Sequence, residues 1–313
     1  MNGFQSPFAE RLVSYIQLRR QLGLCFEGQE AILRAFDRYA LARDHQGALT
    51  EQLVRDFALS AVDPATTVPA RRYLVIRHFA EYLATYDPST PRLDPKAILR
   101  SSQQPPPYIF TEQEIAHLLG QTITFATRPR VSNVSLHAMI GLAVSTGLRP
   151  REVVGLDQAD VDLKTGILII RHSKLDKDRL VPVHSSVLDV LRAYTAERDQ
   201  IPAPVGDTAY FLNGRLHRYQ TDNLDYLFGR LVRIIDLHPP RGTLPTFRSL
   251  RHTFAVRRLV TWYRAGANVQ ALLPALATYM GHVHYSSTSY YLTATAEMLG
   301  VAAERLVSAG DWS

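Results

Sequence analysis

Apolar residues recur at spacings of three and four along most of this chain, the signature of helices with one face turned to a core. Four such stretches come first: FAERLVSYIQLRRQLG (8–23), EGQEAILRAFDRYALA (27–42), TEQLVRDFALSA (50–61) and PARRYLVIRHFAEYLAT (69–85). Breaks near Gly23, Gly47 and Pro64 separate them, so the pattern predicts a bundle of four short helices. Three consecutive prolines in SSQQPPPY (101–108) then rule out helix and favour a stiff, extended path. Directly afterwards FTEQEI has the form of a helix start. Thr111 is the cap, Glu114 lies three residues on, and Phe110 is placed to pack against Ile115. The expected organisation is a helical domain over 1–100, a proline-rich linker over 101–107 and a second domain over 108–313.

The second domain changes period. SLHAMIGLAVSTGL (135–148) is apolar enough for a buried helix, whereas VDLKTGILIIRHSKLDKDRLVPV (161–183) has β-rich runs on either side of a Lys-Thr-Gly turn. LDKD (175–178) is the polar tip joining two strands, and Lys174 stands at the end of the first. Helices resume with SSVLDVLRAYTAERD (185–199), LDYLFGRLVRIIDL (224–237) and TFRSLRHTFAVRRL (246–259). The predicted fold is mainly α with one small antiparallel β-sheet: a helical bundle followed by a mixed α+β domain.

Composition narrows the function classes only a little. The formal charge of +6 and a pI near 9.5 favour a polyanionic partner without naming one. Arg19, Arg20, Arg71, Arg72 and Arg77 lie between the apolar rows of the first domain and give it basic faces. Cys25 is the single cysteine, which excludes an intrachain disulfide and suits a reducing cytosol; flanked by Leu24 and Phe26, it reads as a buried, inert thiol. Neither a signal peptide nor a membrane-spanning run is evident, so a cytoplasmic protein is expected. The eleven histidines lack companions at ligand spacing, so neither a metal nor any other cofactor is expected.

The candidate chemistry lies in charged residues that interrupt apolar patterns. In TFRSLRHTFAVRRL, Arg248 and Arg251 sit among Leu250, Phe254 and Leu259, which read as a buried stripe. Guanidinium groups are costly to bury without a partner. Arg149 and Glu152 stand three apart in STGLRPREVVGL, Lys174 stands at the strand tip, and YMGHVHYSSTSYYL carries His282, Tyr290 and Tyr291. Each alone has a structural explanation: a capped helix end, a solvated lysine, a packed aromatic. Together they form a set suited to a phosphodiester without a metal. Arginine presents forked donors to phosphate oxygens, and fixed cations stabilise the extra charge of a pentacoordinate transition state. Tyrosine is a candidate nucleophile. Its pKa near 10 makes full ionisation at pH 7 cost about 4 kcal/mol, which clustered cations would offset.

These segments resemble, in order and spacing, the boxes of the tyrosine recombinases, the phage-integrase family. STGLRPREVVGL resembles the first arginine box, which implies Arg149 as a catalytic arginine and Glu152 as its supporting acid. HSKLDKDRLVPV looks like the β-hairpin lysine box and implies Lys174. SLRHTFA looks like the second arginine box and implies Arg251. In YMGHVHYSSTSYY a Gly-His pair precedes the nucleophile by nine residues, which selects Tyr291 over Tyr290 and adds His282. The boxes span 146–291. The first domain is similar in size and pattern to the family's helical core-binding domain, a SAM-like bundle. One box departs: family members usually read His-x-Leu-Arg-His, whereas this chain reads Arg248-Ser249-Leu250-Arg251-His252. Arginine can hold a phosphate but stays protonated below about pH 12 and cannot take the tyrosine's proton.

The resemblance implies a site-specific recombinase that cleaves and rejoins DNA through a 3′-phosphotyrosyl intermediate, serving integration, excision or transposition of a mobile element. Its implied partner is double-stranded DNA bearing specific recombination sites. The protein would be monomeric in free solution and tetrameric on paired sites, alone or with other recombinases, its last helix docked on a neighbouring copy. Two alternatives stay open: type IB topoisomerase-like relaxation, and a non-catalytic DNA-binding relative acting with partner recombinases.

Overall fold

Local sequence chemistry fixes where the helices begin and end, and burial then decides how they pack. In the computed structural model the described residues are 3–24, 26–60, 66–98, 107–125, 131–171, 178–201, 206–237, 239, 244–281 and 300. The chain divides into two units, Met1–Gln104 and Pro105–Ser313. Cys25, Lys174, His282, Tyr290 and Tyr291 lie outside the described residues.

The first unit holds α1 (Ala9–Gln21), α2 (Glu27–Leu41), α3 (Glu51–Leu59) and α4 (Val68–Leu83), with α4 packed on the other three. Leu12, Leu33, Phe36, Phe57, Ile76 and Phe79 are buried at its centre. Burying each contributes about 1.5–3 kcal/mol relative to leaving it in water. Gly23 and Gly47, at φ 75° and 110°, make the predicted breaks in backbone conformations that side-chain-bearing residues rarely adopt. Asp37 is buried on α2 because its carboxylate accepts from the backbone N–H groups of Gln5 and Ser6, at 2.9 and 3.0 Å.

The second unit is built around α6 (Val131–Thr146), which is apolar on all sides and packs against α5 (Glu112–Thr124), α8 (Ser185–Arg198) and α10 (Arg248–Arg264). Leu136, Met139, Ile140, Leu142 and Ala143 on α6 are inaccessible to solvent. Removing most of one, as in Ile140→Ala, would cost about 2–5 kcal/mol through lost burial and the cavity left behind. The expected capping box opens α5: Thr111 Oγ1 accepts from Glu114 N, and Glu114 accepts from Thr111 N at 2.8 Å. Phe110 and Ile115 are buried in the same core.

Strands β1 (Val161–Asp162), β2 (Ile167–Ile170) and β3 (Arg179–Pro182) form the predicted antiparallel sheet in that order. Gly166, at φ 72°, closes the Lys-Thr-Gly turn, and Ile170 pairs with Arg179 at the loop end of the β2–β3 hairpin. The short helix α7 (Pro150–Val154) and α9 (Thr221–Ile234) complete the unit together with α11 (Val269–Met280). Pro274 lies inside α11 and removes one of its backbone donors. Burial holds it in place: Leu273, Leu276 and Met280 pack with Phe254, Val256 and Leu259 of α10. Among the described residues no helix is long and apolar enough to cross a membrane.

Candidate DNA-cleavage site

Arg149 occupies the N-cap position of α7, two residues beyond Gly147. Gly147 has φ 66°, and a Cβ there would overlap the Phe254 ring, so only glycine fits the bend that turns the chain out of α6. The bend aims Arg149 at the end of α11. Its Nη2 donates to the carbonyl of Gly281 at 2.6 Å, and its Nη1 donates to Glu152 Oε1 at 2.7 Å. The Arg149 backbone N–H donates to Glu152 Oε2 at 2.8 Å. Glu152 therefore caps α7 and anchors the arginine at once.

Arg251 reaches the same place from α10. It is 3% exposed, and its Nη1 and Nη2 donate to the carbonyls of Gly147 and Met280, at 2.6 and 2.8 Å. Two guanidiniums from distant parts of the chain are thus fixed on consecutive carbonyls, Met280 and Gly281. The next residue in sequence is His282.

Arg248 is not part of this contact. It is the exposed first residue of α10 and forms no side-chain hydrogen bond or ion pair among the described residues. It is nevertheless close in electrostatic terms. Burial, then the charges of Arg248 and Arg251, push the His252 imidazole down to about 4, so His252 is neutral at ordinary pH.

The structure adds two residues to which sequence reading assigns no role in the site. Arg179, the first residue of β3, donates from Nη1 and Nη2 to Glu152 Oε1 and Oε2, at 3.0 and 2.9 Å, and from Nε to the Tyr279 carbonyl at 3.1 Å. Its only sequence signal is a charged residue opening the apolar run after LDKD. The other residue is Gly281, in a left-handed conformation at φ 65°. A Cβ there would lie 2.9 Å from Arg179 Nη1 and 3.3 Å from Arg149 Nη1, so its bare backbone lets both guanidiniums approach.

Glu152, with its side chain 7% exposed, bridges two cations. Burial alone would raise its pKa, but hydrogen bonds and charges from Arg179 and Arg149 prevail and hold it below the usual carboxylate range. Among the described residues no group of His, Cys, Asp or Glu side chains is placed to hold a metal ion. The structure thus brings Arg149, Glu152 and Arg251 together, leaves Arg248 outside that contact at the start of α10, and adds Arg179 and Gly281.

Residues 109–298 match the Phage integrase family. The chain is 41% identical over 306 residues to y4rE of Sinorhizobium fredii, which carries an integrase/recombinase name, with 97% of each chain covered. It is 30% identical over 223 residues to tyrosine recombinase XerA of Thermococcus kodakarensis, covering 70% of this chain and 68% of the relative. In fold it is similar to the Tn1549 transposon integrase solved with transposon right end DNA. That match has a TM-score of 0.67 at 18% identity and covers 95% of this chain and 99% of the other. This chain belongs to the phage integrase family and is a tyrosine-type site-specific recombinase.

Proposed function

We propose that the chain cleaves and rejoins double-stranded DNA at a phosphate held by Arg149 and Arg251, with Tyr291 as the nucleophile. The Tyr291 phenolic oxygen bonds to phosphorus and the bond to the 5′-oxygen breaks, leaving a 3′-phosphotyrosyl link. Lys174 gives its proton to the departing 5′-oxygen. The tyrosine's own proton passes to water, to a substrate oxygen or to His282, which also donates a hydrogen bond to the phosphate. The link conserves the bond energy until a 5′-hydroxyl from a second strand reverses the step.

The observation that carries this reading is the convergence of Arg149 and Arg251 on the Met280 and Gly281 carbonyls, immediately before His282. Cations fixed in advance cost no reorganisation when charge develops on the phosphoryl oxygens. Glu152 is the acid that orients Arg149. Arg248 acts as a third phosphate contact in place of the family's histidine, and its exposure leaves it free to meet DNA. Because phosphate contacts dominate such an interface, affinity falls steeply as salt rises. Similarity to a transposon integrase fits service to a mobile element, with a tetramer on paired sites and the last helix docked on a neighbouring copy.

A nicked suicide substrate carrying the recombination site tests the chemistry. The wild type should form a covalent protein–DNA adduct on a denaturing gel. The adduct should vanish in Tyr291→Phe and persist in Tyr290→Phe. No adduct from the wild type would favour a non-catalytic DNA-binding role, and supercoil relaxation without paired sites would favour a topoisomerase. Arg248→Lys should slow adduct formation, because an ammonium lacks the guanidinium fork.

A further inference from the structure

We infer that Arg179 is a positioning residue for the cleavage step: through the carboxylate it shares with Arg149, it fixes the neck of the β2–β3 hairpin against the phosphate-binding arginine and the end of α11. The inference rests on the reading above, in which Lys174, on the connection between β2 and β3, protonates the leaving oxygen.

Arg179 is the β3 residue that pairs with Ile170, the last residue of β2, so it marks the point where the hairpin leaves the sheet. Its side chain is 12% exposed, and among the described residues its three side-chain hydrogen bonds all go to elements other than its own. Two run in parallel to Glu152 on α7. A fork on a carboxylate sets direction as well as distance, which a single ammonium contact does not.

The same carboxylate carries Arg149: Glu152 Oε1 accepts from Nη1 of both arginines, at 2.7 and 3.0 Å. Glu152 therefore joins the hairpin neck to Arg149, which the Gly281 carbonyl holds independently. The third bond, to the Tyr279 carbonyl, ties the neck to the last turn of α11, two residues before Gly281. A second tie supports it, the Tyr279 hydroxyl donating to the Pro182 carbonyl of β3 at 3.3 Å. Gly281 completes the junction, since any side chain there would displace both guanidiniums.

A sheet edge needs none of this. An ordinary solvated lysine would serve at the start of β3. A buried fork that joins the hairpin to the phosphate-binding arginine is what proton delivery requires, because the acid must stand within hydrogen-bond reach of the leaving oxygen. A misplacement of 1 Å can cost on the order of 100-fold in rate.

The test compares two suicide substrates in single-turnover cleavage by the full chain. One has the normal 5′-oxygen at the scissile phosphate. The other has sulfur there, which departs as a thiolate and needs no acid. Arg179→Lys and Arg179→Met should cleave the oxygen substrate about 100-fold more slowly than wild type and return to within a few-fold of it on the sulfur substrate. Lys174→Ala should be rescued in the same way, and Arg149→Ala should stay slow on both. Equal slowing of the Arg179 variants on both substrates, with Lys174→Ala rescued, would overturn the inference and leave the Lys174 reading intact. Wild-type rates on the oxygen substrate would overturn it as well. If Lys174→Ala is not rescued, the acid is wrongly assigned and the inference falls with it. Tryptophan fluorescence melts establish that each variant is folded. Arg179→Lys keeps the charge and most of the packing, and it carries the test should Arg179→Met not fold.

Discussion

Replacing Glu152 with glutamine keeps the shape of the side chain and removes the one negative charge between two guanidiniums. The wild-type carboxylate accepts four hydrogen bonds: 2.8 Å from Arg149 N, 2.7 Å from Arg149 Nη1, and 3.0 and 2.9 Å from Arg179 Nη1 and Nη2. Hydrogen bonds to charged groups contribute about 1.5–3 kcal/mol each, against about 0.5–1.5 for neutral pairs. The amide nitrogen also brings a donor to a position that now receives one, so at least one contact is lost outright. Deleting one partner of a buried ion pair costs about 3–5 kcal/mol. Glutamine retains part of the acceptor set, which brings the expected loss to about 2–4 kcal/mol. With the carboxylate only 7% exposed, solvent screening reduces this little. For a unit of this size the melting temperature should fall by roughly 5–15 °C.

The sign of the pH dependence separates charge from packing. The folded pKa of Glu152 lies below its ordinary value, so its stabilisation is complete above the unfolded pKa of about 4.3 and disappears as pH falls through the folded value. The gap between wild type and Glu152→Gln should thus be constant from pH 7 to about pH 5 and should narrow toward pH 3. Urea denaturation of the full chain, followed by tryptophan fluorescence, measures it. Trp262, on α10, reports on the second unit. A gap of equal size at pH 3 and pH 7 would refute the electrostatic account and leave only a packing effect.

Gly281→Ala should slow adduct formation and lower the melting temperature, because it adds a Cβ 2.9 Å from Arg179 Nη1 at a backbone φ of 65°. The left-handed conformation alone costs a non-glycine residue about 1–2 kcal/mol. His252, whose pKa is pushed down to about 4, should show a neutral imidazole by NMR at pH 6. The unfolded chain binds that proton near 6.5, so His252 favours folding fully above pH 6.5 and progressively less as pH falls toward 4. Arg248→Ala removes one of the charges that depress it and should raise the His252 pKa in the same titration. Thr111→Ala should cost about 1 kcal/mol in urea denaturation by removing the acceptor for Glu114 N.

Most helices were legible because their apolar residues recur at spacings of three and four, a property written locally. In α11 Pro274 removes a backbone donor, and contacts with α10 outweigh that loss. The same division holds for the site. Arg149 and Glu152 could be read together because they interact at a spacing of three, and Arg251 stood out as a charge within an apolar stripe that proves to be buried. Arg179 gave no comparable signal, since its carboxylate partner is 27 positions away in the chain and the two meet only after the sheet has docked.

That difference has a mechanistic consequence. The residues proposed to act on the phosphate are recognisable as a set, because their side chains carry the chemistry. The groups that aim them are mostly backbone: the carbonyls of Gly147, Tyr279, Met280 and Gly281 accept from Arg251, Arg179 and Arg149. A carbonyl has no residue identity, so what the sequence must preserve is the path of the chain. The two positive-φ glycines do this, Gly147 by bending the chain out of α6 and Gly281 by ending α11 without a side chain. Substituting either would leave every charged residue in place and still disperse the arginines. Activity should therefore be as sensitive to these two glycines as to the guanidiniums they aim.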